Sequence, residues 1–246
     1  MTSFLVALQF LTRIPVKLKQ KSTEKQTAQS LLFYPLIGLF IGLLLYSLNT
    51  VLFETNDMLR AVIILITWVS ITGALHLDGL ADSADALVGG FGDKEKTLAI
   101  MKDPYCGPVG VVSLVLILLL KLSMIFSITE QNNYLLILAP CLARSSILWS
   151  FISTPYVRNN GLGSTMAKHL SSQKAYISLA TVGCISLIVF GWAGAIILLS
   201  SFLIVYLLKK IMMDRIGGMT GDTLGAQIEI LEASILLTGL LFIGIQ

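Results

Sequence analysis

Long apolar blocks alternate with short polar segments along this chain. Blocks of about 20 mostly apolar residues have the length of a helix that crosses the hydrocarbon core of a bilayer. The pattern predicts seven spanning helices, at residues 31–53, 60–77, 109–128, 134–153, 176–190, 193–208 and 223–245. The fifth and sixth blocks together are too long for one crossing, and the segment Gly191-Trp192-Ala193-Gly194 between them is typical of a tight turn.

The composition supports an all-α membrane protein. The chain is 55% hydrophobic and only 13% charged, whereas soluble domains are about 25% charged. These values exclude a disordered chain, a small disulfide scaffold and an ordinary soluble enzyme. The net charge of +3 does not indicate nucleic-acid binding, and the three cysteines have neither metal-site nor disulfide-framework spacing. We therefore expect one membrane-embedded helical bundle over residues 1–246.

The basic residues predict the orientation of the bundle. If the N-terminus is cytoplasmic, 14 of the 17 Lys and Arg residues fall on the cytoplasmic side, in agreement with the positive-inside rule. Residues 78–108 and 209–222 are then cytoplasmic loops. Residues 1–30 form an amphipathic, basic segment without a cleavable signal peptide, and Met1 to Val16 is expected to be interfacial or re-entrant.

The first candidate site is an acidic block after the second predicted span. It reads His76-Leu77-Asp78-Gly79-Leu80-Ala81-Asp82-Ser83-Ala84-Asp85. On a helix that continues from the span, the three aspartates lie on one face because their spacing is i, i+4 and i+7. A single aspartate is readily explained as a helix cap, but three in register repel each other unless a multivalent cation lies between them. Hard oxygen ligands of this kind suit Mg²⁺, which commonly binds one or two carboxylates plus substrate phosphates.

The loop after this block has the composition of a phosphate site. Gly89 and Gly90 allow the backbone to approach a ligand closely. Lys102 is a candidate partner for a phosphate, and Asp103 is a candidate metal ligand. His76 is a candidate base, although an interfacial histidine with satisfied hydrogen bonds is the more common situation.

A second acidic block begins the last span. Asp222, Glu229 and Glu232 share a helical face at i, i+7 and i+10. Because carboxylates within a membrane are costly, the two glutamates are expected to face a polar cavity or a partner. Lys121 and Arg144, inside other spans, are either their counter-ions or phosphate-binding residues. Two acidic faces at cytoplasmic helix ends favour one shared metal site.

These motifs resemble those of the cobalamin synthase family, the adenosylcobinamide-GDP ribazoletransferases of late corrinoid biosynthesis. The resemblance rests on residues 10–15, on 76–82, on Asp85 with Gly89-Gly90, on 100–103 with Gly107 and Gly110, and on 218–226 with Glu229. It extends from the N-terminus to the last span, and the two acidic blocks in this order are specific together. Ala86 departs from the pattern, in which a glycine is expected after Asp85.

The resemblance implies an enzyme that transfers the cobinamide-phosphoryl group of adenosylcobinamide-GDP to α-ribazole or its 5′-phosphate and releases GMP. Mg²⁺ is the expected cofactor. Its predicted ligands are Asp78, Asp82, Asp85 and Asp222, with Asp103 or Glu229 completing the coordination. Asp82 or Asp85 is the first candidate for the base that takes the proton of the attacking ribose hydroxyl, and His76 is an alternative.

Substrate contacts are expected from cations at the rim and from the glycine-rich segments. The predicted substrate-binding residues are Arg13, Gly89, Gly90, Lys102, Arg144, Arg215, Thr220 and Gly221. The site is expected to face the cytoplasm from the cytoplasmic (inner) membrane of a bacterium or archaeon. The expected partners are the two substrates and the lipid bilayer, with a homo-oligomer or a complex with other enzymes of the pathway as further possibilities and no nucleic acid.

Two other functions are compatible with parts of the pattern. A CDP-alcohol-type phospholipid transferase also has clustered aspartates at a membrane face, but here Asp78-Gly79 precedes Asp82 and no Ala-Arg pair follows. A cation-coupled transporter accounts for the charges within the spans, but most acids lie at one membrane face and no clear inverted repeat is seen. The residues alone therefore favour a Mg²⁺-dependent phosphotransferase.

Overall fold

The structure, a computed structural model, describes residues 1–18, 20–159 and 161–243. Lys19 and the last residues of the predicted span 223–245 lie outside this part of the chain. The described residues form an all-α fold, as the sequence predicted. Its helices are α1 (Thr2–Leu11), α2 (Glu24–Ser30), α3 (Tyr34–Val51), α4 (Asp57–Thr72), α5 (Leu75–Gly89), α6 (Lys94–Ile100), α7 (Pro108–Phe126), α8 (Leu135–Ser153), α9 (Leu162–His169), α10 (Ser172–Ile216) and α11 (Gly221–Ile243).

Within the described ranges, five helical segments are long and apolar enough to cross a membrane. They are Glu24–Val51, which joins α2 and α3 through a 3-10 turn, and the helices α7, α8, α10 and α11. The pair α4 and α5 is a sixth candidate, broken by an 85° bend. The ten residues of α1 extend about 15 Å, half the thickness of the hydrocarbon core. The number of crossings and the side of the N-terminus stay predictions.

α10 contains both the fifth and the sixth predicted spans. Its 45 residues would extend about 68 Å as a straight helix, more than twice the hydrocarbon thickness. The helix is broken at Gly191, whose φ of 54° and ψ of −130° are not helical. A Cβ on Gly194 would collide with the carbonyl oxygen of Ser186, so the chain reverses direction here. Leu179 before the break and Leu198 after it face the same groove beside α8, and the predicted turn is confirmed.

The second predicted span ends earlier than its apolar pattern predicted. α4 stops at Thr72, and Gly73 and Ala74 both have left-handed backbone angles, with φ of 62° and 56°. Because left-handed residues end a right-handed helix, α5 leaves at 85° to α4. The prediction that the acidic helix continues from the span is therefore wrong. α5 turns away from the axis of α4, and it carries the start of the segment 78–108 that is predicted to be cytoplasmic.

The interior of the bundle contains four buried charges, Lys121, Arg144, Glu229 and Glu232, which we call the ionic cluster. Lys121 of α7 donates to Glu229 at 2.6 Å and to Glu232 at 2.5 Å, and Arg144 of α8 also pairs with Glu232. Each of these side chains is at most 5% exposed. The Lys121 ammonium also lies 4.8 Å from the ring centroid of Trp68. Two cations and two anions thus compensate each other where α7, α8 and α11 meet.

The first test concerns this cluster. The substitution Lys121→Met leaves Glu229 buried without its counter-ion, and breaking a buried pair in this way typically costs about 3–5 kcal/mol of unfolding free energy. We expect a correspondingly lower thermal unfolding midpoint for the purified protein in detergent.

Two further variants serve as controls for this test. Lys174→Met changes an exposed lysine and should alter stability by no more than about 0.5 kcal/mol. The double variant Lys121→Met/Glu229→Leu removes both charges and should recover most of the loss. A Lys121→Met protein as stable as the wild type would contradict the pairing.

Candidate active site

α5 and α11 pack so closely that each has a glycine at the contact. A Cβ on Gly79 of α5 would lie 2.6 Å from the carbonyl oxygen of Asp222. A Cβ on Gly225 of α11 would lie 3.3 Å from the Cα of His76. These glycines allow the first acidic block to lie directly against the start of the second. The sequence expected the two blocks to meet, and this helix crossing brings them together.

Asp78, Asp82 and Asp222 lie around the crossing, and we call them the acid cluster. Asp78 is exposed, while Asp82 and Asp222 are half-buried. Burial of Asp82, followed by repulsion from Asp78, Asp222 and Asp85, raises the pKa of Asp82 to about 6. Negative charge therefore accumulates at this end of the bundle and favours the binding of a cation.

Arg158 brings a positive charge to the acid cluster. Its Nη2 donates to Oδ2 of Asp222 at 2.5 Å. Two backbone hydrogen bonds hold its segment beside the start of α11: Val157 N–H donates to the Met219 carbonyl at 2.9 Å, and Met219 N–H donates to the Pro155 carbonyl at 2.8 Å. Arg158 belongs to the predicted cytoplasmic charges and was not predicted as a site residue, because no spacing along the chain links it to Asp222.

A cavity of about 380 Å³ opens beside the acid cluster. Its polar lining includes Asp78, Arg158 and Asp222. Its apolar wall comes from α1, α3, α5, α8, α9 and α11 and includes Phe10, Leu11, Tyr34, Ile147, Phe151 and Met166. The volume falls within the range of small-molecule sites, about 300–1,000 Å³.

Asp85 lies on the acidic face of α5 but has different partners. Its carboxylate accepts hydrogen bonds from the N–H of Gly107 at 2.7 Å and from the N–H of Gly110 at 2.9 Å. These amides begin α7, where free N–H groups and the helix dipole favour a carboxylate. A Cβ on either glycine would lie 2.5 Å from a carboxylate oxygen of Asp85. Neither position therefore has room for a side chain. Asp85 thus caps α7, and to act as the predicted base or metal ligand it would have to share oxygens already bound to these amides.

Glu229 and Arg144 belong to the ionic cluster and not to the lining of the cavity. Glu229 pairs with Lys121, and Arg144 pairs with Glu232. Asp222 and Glu229 share a face of α11, but seven residues separate them by about 10 Å along the helix axis. Of the two alternatives for Lys121 and Arg144, the structure places both as counter-ions. The predicted metal-ligand role of Glu229 and substrate role of Arg144 have no geometric support here.

His76 lies in the wall of the cavity, with only 4% of its surface exposed. Its hydrogen bonds are not satisfied, because in the part of the chain that the structure describes its buried Nδ1 has no partner. The imidazole is therefore a buried polar group with unused hydrogen-bonding capacity beside a cavity.

The two glycine-rich segments have different surroundings. Gly89 and Gly90 approach side chains of α6, whereas Gly221 lines the cavity. Thr220 and Thr223 cap α11 reciprocally: the N–H of Thr220 donates to the Thr223 hydroxyl at 2.9 Å, and the N–H of Thr223 donates to the Thr220 hydroxyl at 3.3 Å. The second segment thus contributes both to the site and to the start of its helix.

The remaining predicted site residues lie around the rim or farther away. Lys102 and Asp103 are exposed in the loop between α6 and α7. Arg215 approaches the loop between α5 and α6. The side chain of Arg13 lies over the bend between α4 and α5, at Gly73. The backbone N–H of Arg13 donates to the carbonyl of Ile71 at 2.7 Å. Their predicted contacts with substrate or metal stay predictions.

The donor set of the acid cluster fits an Mg²⁺ ion that arrives with a phosphorylated substrate. Its carboxylates are hard oxygen donors, and Mg²⁺ commonly combines one or two of these with waters and substrate phosphates. Over residues 1–18, 20–159 and 161–243, no group of three or more His, Cys, Asp or Glu side chains is close enough to hold a metal by itself. A closed site of the structural zinc type, which needs four protein ligands, is therefore not formed by these residues.

Comparison with known proteins identifies the family. A family model described as Cobalamin-5-phosphate synthase matches residues 3–241. Relatives named adenosylcobinamide-GDP ribazoletransferase come from Pseudomonas savastanoi pv. phaseolicola, 46% identical over 239 residues, covering 97% of this chain and 98% of the relative, and from Pseudomonas aeruginosa, 48% identical over 235 residues, covering 95% and 96%. A third, from Acinetobacter baumannii, is 46% identical over 239 residues and covers 97% and 96%. No solved structure matches the chain.

Because the family match covers nearly the whole chain, the protein belongs to the cobalamin-5-phosphate synthase family. It is an enzyme, and the resemblance seen in its acidic blocks is confirmed. The roles of single residues follow from the geometry above.

The helix crossing can be tested with Gly79→Ala. The added methyl group meets the backbone of Asp222, and forcing an extra methyl group into a packed contact typically costs about 1–3 kcal/mol. The thermal midpoint in detergent should fall. The control Gly183→Ala adds a methyl group where no atom lies within 4 Å, and this variant should be at least as stable as the wild type. Equal midpoints for both variants would argue against the close contact.

The capping role of Asp85 separates it from Asp82. Asp85→Ala removes the acceptor of two N–H groups at the start of α7, and loss of a cap typically costs about 0.5–2 kcal/mol. Asp82→Ala should not lower stability, because it relieves repulsion within the acid cluster. Thermal unfolding of both variants in detergent gives the comparison. An Asp85→Ala protein with wild-type stability would contradict the cap.

Proposed function

We propose that this enzyme joins adenosylcobinamide-GDP to α-ribazole, or to α-ribazole 5′-phosphate, and releases GMP, with Mg²⁺ as its cofactor. The names of the relatives support the substrates. The observation that carries the proposal is the crossing of α5 and α11, which gathers carboxylates of two distant blocks beside one cavity.

The reaction exchanges one phosphorus–oxygen bond for another. A ribose hydroxyl of the acceptor attacks the phosphorus attached to cobinamide. The bond from this phosphorus to the bridging oxygen of the pyrophosphate breaks, and the oxygen leaves with GMP. The hydroxyl proton passes to a carboxylate of the enzyme. Phosphoryl transfer of this kind depends mainly on positioning and on stabilisation of charge.

Charge compensation is the first task of such a site, because the pyrophosphate adds negative charge to the acid cluster. Mg²⁺ held by Asp78 and Asp222 would neutralise charge on the pyrophosphate and on the departing GMP. Arg158 orients Asp222 through their hydrogen bond and offers its remaining N–H groups to a phosphate oxygen.

Asp82 is the proposed base. It lies one helical turn from Asp78. Within the described residues, the carboxylate of Asp82 accepts no hydrogen bond. The carboxylate of Asp85, in contrast, is engaged by two amides. Of the two predicted bases, Asp82 and Asp85, Asp82 is therefore the one whose oxygens are free to accept the hydroxyl proton.

The reaction is proposed to take place at the cytoplasmic face of a bacterial or archaeal inner membrane. The segments that carry the acid cluster fall on the side to which the positive-inside rule assigns 14 of the 17 Lys and Arg residues, the cytoplasm. Substrates that are nucleotides are available on that side.

The transporter alternative loses its main argument in the structure. It rested on charges inside the spans, and these compensate each other within the ionic cluster. The acid cluster lies instead at one end of the bundle, as a transferase that takes substrates from one side requires.

A turnover assay tests the proposed reaction. Purified protein in detergent or liposomes receives adenosylcobinamide-GDP and α-ribazole, and GMP and the corrinoid product are both followed. We expect equal amounts of the two products with Mg²⁺ and neither of them after chelation. A folded protein that forms no product in lipid as well as in detergent would contradict the proposal.

Asp82→Asn tests the base. Removing a general base typically slows the reaction about 10²- to 10⁴-fold, and the variant should keep its fold. Asp214→Asn, an exposed aspartate near the end of α10, is the matched control and should turn over normally. Normal turnover by Asp82→Asn would exclude Asp82 as the base.

A further inference from the structure

We infer that the cavity beside the acid cluster binds the aromatic base of the acceptor nucleoside, and that His76 positions this base by a hydrogen bond to its free ring nitrogen. The inference rests on the proposed function. It assigns a place to the acceptor and names a residue that determines its specificity.

The wall of the cavity suits a flat apolar group. Four Phe and Tyr side chains line it, Phe10, Tyr34, Phe151 and Tyr156, together with the buried side chains of Leu11 and Met166. Phe151 is itself stacked on Tyr156, with ring centroids 6.1 Å apart and an angle of 7° between the planes. Aromatic rings prefer such offset or edge contacts with other rings. A dimethyl-substituted benzimidazole is a flat bicyclic ring with little polar surface, and it matches this wall.

The guanine of the donor matches the same wall poorly. Its edges carry several hydrogen-bond donors and acceptors. Among the uncharged side chains that line the cavity, only Tyr34, His76 and Tyr156 carry a nitrogen or oxygen atom. Each buried polar group left without a partner costs about 1–3 kcal/mol. The guanine is therefore expected outside the apolar part of the cavity.

His76 can supply the one hydrogen bond that the benzimidazole of the acceptor needs. A benzimidazole linked to ribose through one nitrogen has a single free ring nitrogen, which is an acceptor. A neutral histidine has one N–H donor. The imidazole lies in the cavity wall with only 4% of its surface exposed, and its Nδ1 has no partner in the described ranges.

The position of the acid cluster then fits the reaction. Asp78 and Asp222 line the same cavity as the aromatic residues. When the benzimidazole ring lies against the apolar wall, its ribose is directed toward these carboxylates, where the ribose hydroxyl must react. The cavity thus accounts for the position of the acceptor without a change of fold.

Binding of two small probes tests the inference without turnover. The probes are 1,5,6-trimethylbenzimidazole and 1,5,6-trimethylindole, which differ in that a C–H replaces the free ring nitrogen. Dissociation constants are measured by calorimetry on the protein in nanodiscs. One neutral hydrogen bond corresponds to about a fivefold difference in affinity, so the wild type should bind the benzimidazole about fivefold more tightly. Equal affinities would overturn the role of His76.

Variants locate the binding site. His76→Leu should bind both probes equally, with the affinity for the indole kept. Phe10→Ala should weaken both probes, whereas Phe202→Ala, in a separate apolar groove between α8 and α10, should weaken neither. If His76→Leu does not fold, the probe preference of the wild type and the Phe10→Ala result still decide the question. Binding lost in Phe202→Ala but not in Phe10→Ala would place the ligand elsewhere and overturn the inference.

Failure of this inference and failure of the proposed function give different results. Asp82→Asn should bind the probes like the wild type although its turnover is expected to be about 10²- to 10⁴-fold slower. If the wild type turns over but does not prefer the benzimidazole probe, the acceptor site is refuted and the proposed reaction is still supported. Probe binding in the expected pattern without any turnover supports the cavity and refutes the reaction.

Discussion

The close approach of α5 and α11 is the contact on which the rest of the site depends. It requires glycine at residue 79, where any side chain would meet the backbone of Asp222. The approach sets carboxylates of both helices beside one cavity, and Arg158 then pairs with one of them. Without this contact the two acidic blocks would be separate charged surfaces. The chemistry of the protein thus follows from a packing constraint between two backbones.

Two groups of charges perform different tasks at different depths. The ionic cluster is buried and internally compensated, so it binds α7, α8 and α11 to each other. The acid cluster lies about 10 Å away along α11, where its carboxylates have fewer cations nearby and their repulsion favours a bound cation. Asp85 belongs to neither group, because its oxygens cap α7.

The sequence predicted the all-α membrane fold, the turn near Gly191 and the meeting of the two acidic blocks, because these depend on apolar length and on motif position. It missed the bend after α4: Gly73 is the usual signal of a helix end, but the apolar pattern continues past it, and Ala74 gives no signal of its left-handed conformation. Helical periodicity placed Asp222 and Glu229 on one face but did not take their axial separation into account. Arg158 was missed because its contact with Asp222 arises only in the folded chain.

The central claim is that two distant acidic blocks form one metal-dependent site. Electron paramagnetic resonance of Mn²⁺, used in place of Mg²⁺ with adenosylcobinamide-GDP present, measures ion binding directly. The account predicts that Asp78→Asn and Asp222→Asn each weaken the same bound-ion signal, while Glu229→Gln leaves the coordination of the bound ion unchanged in protein that remains folded. A signal that depends on only one of the two aspartates, or on Glu229 instead of them, would contradict it.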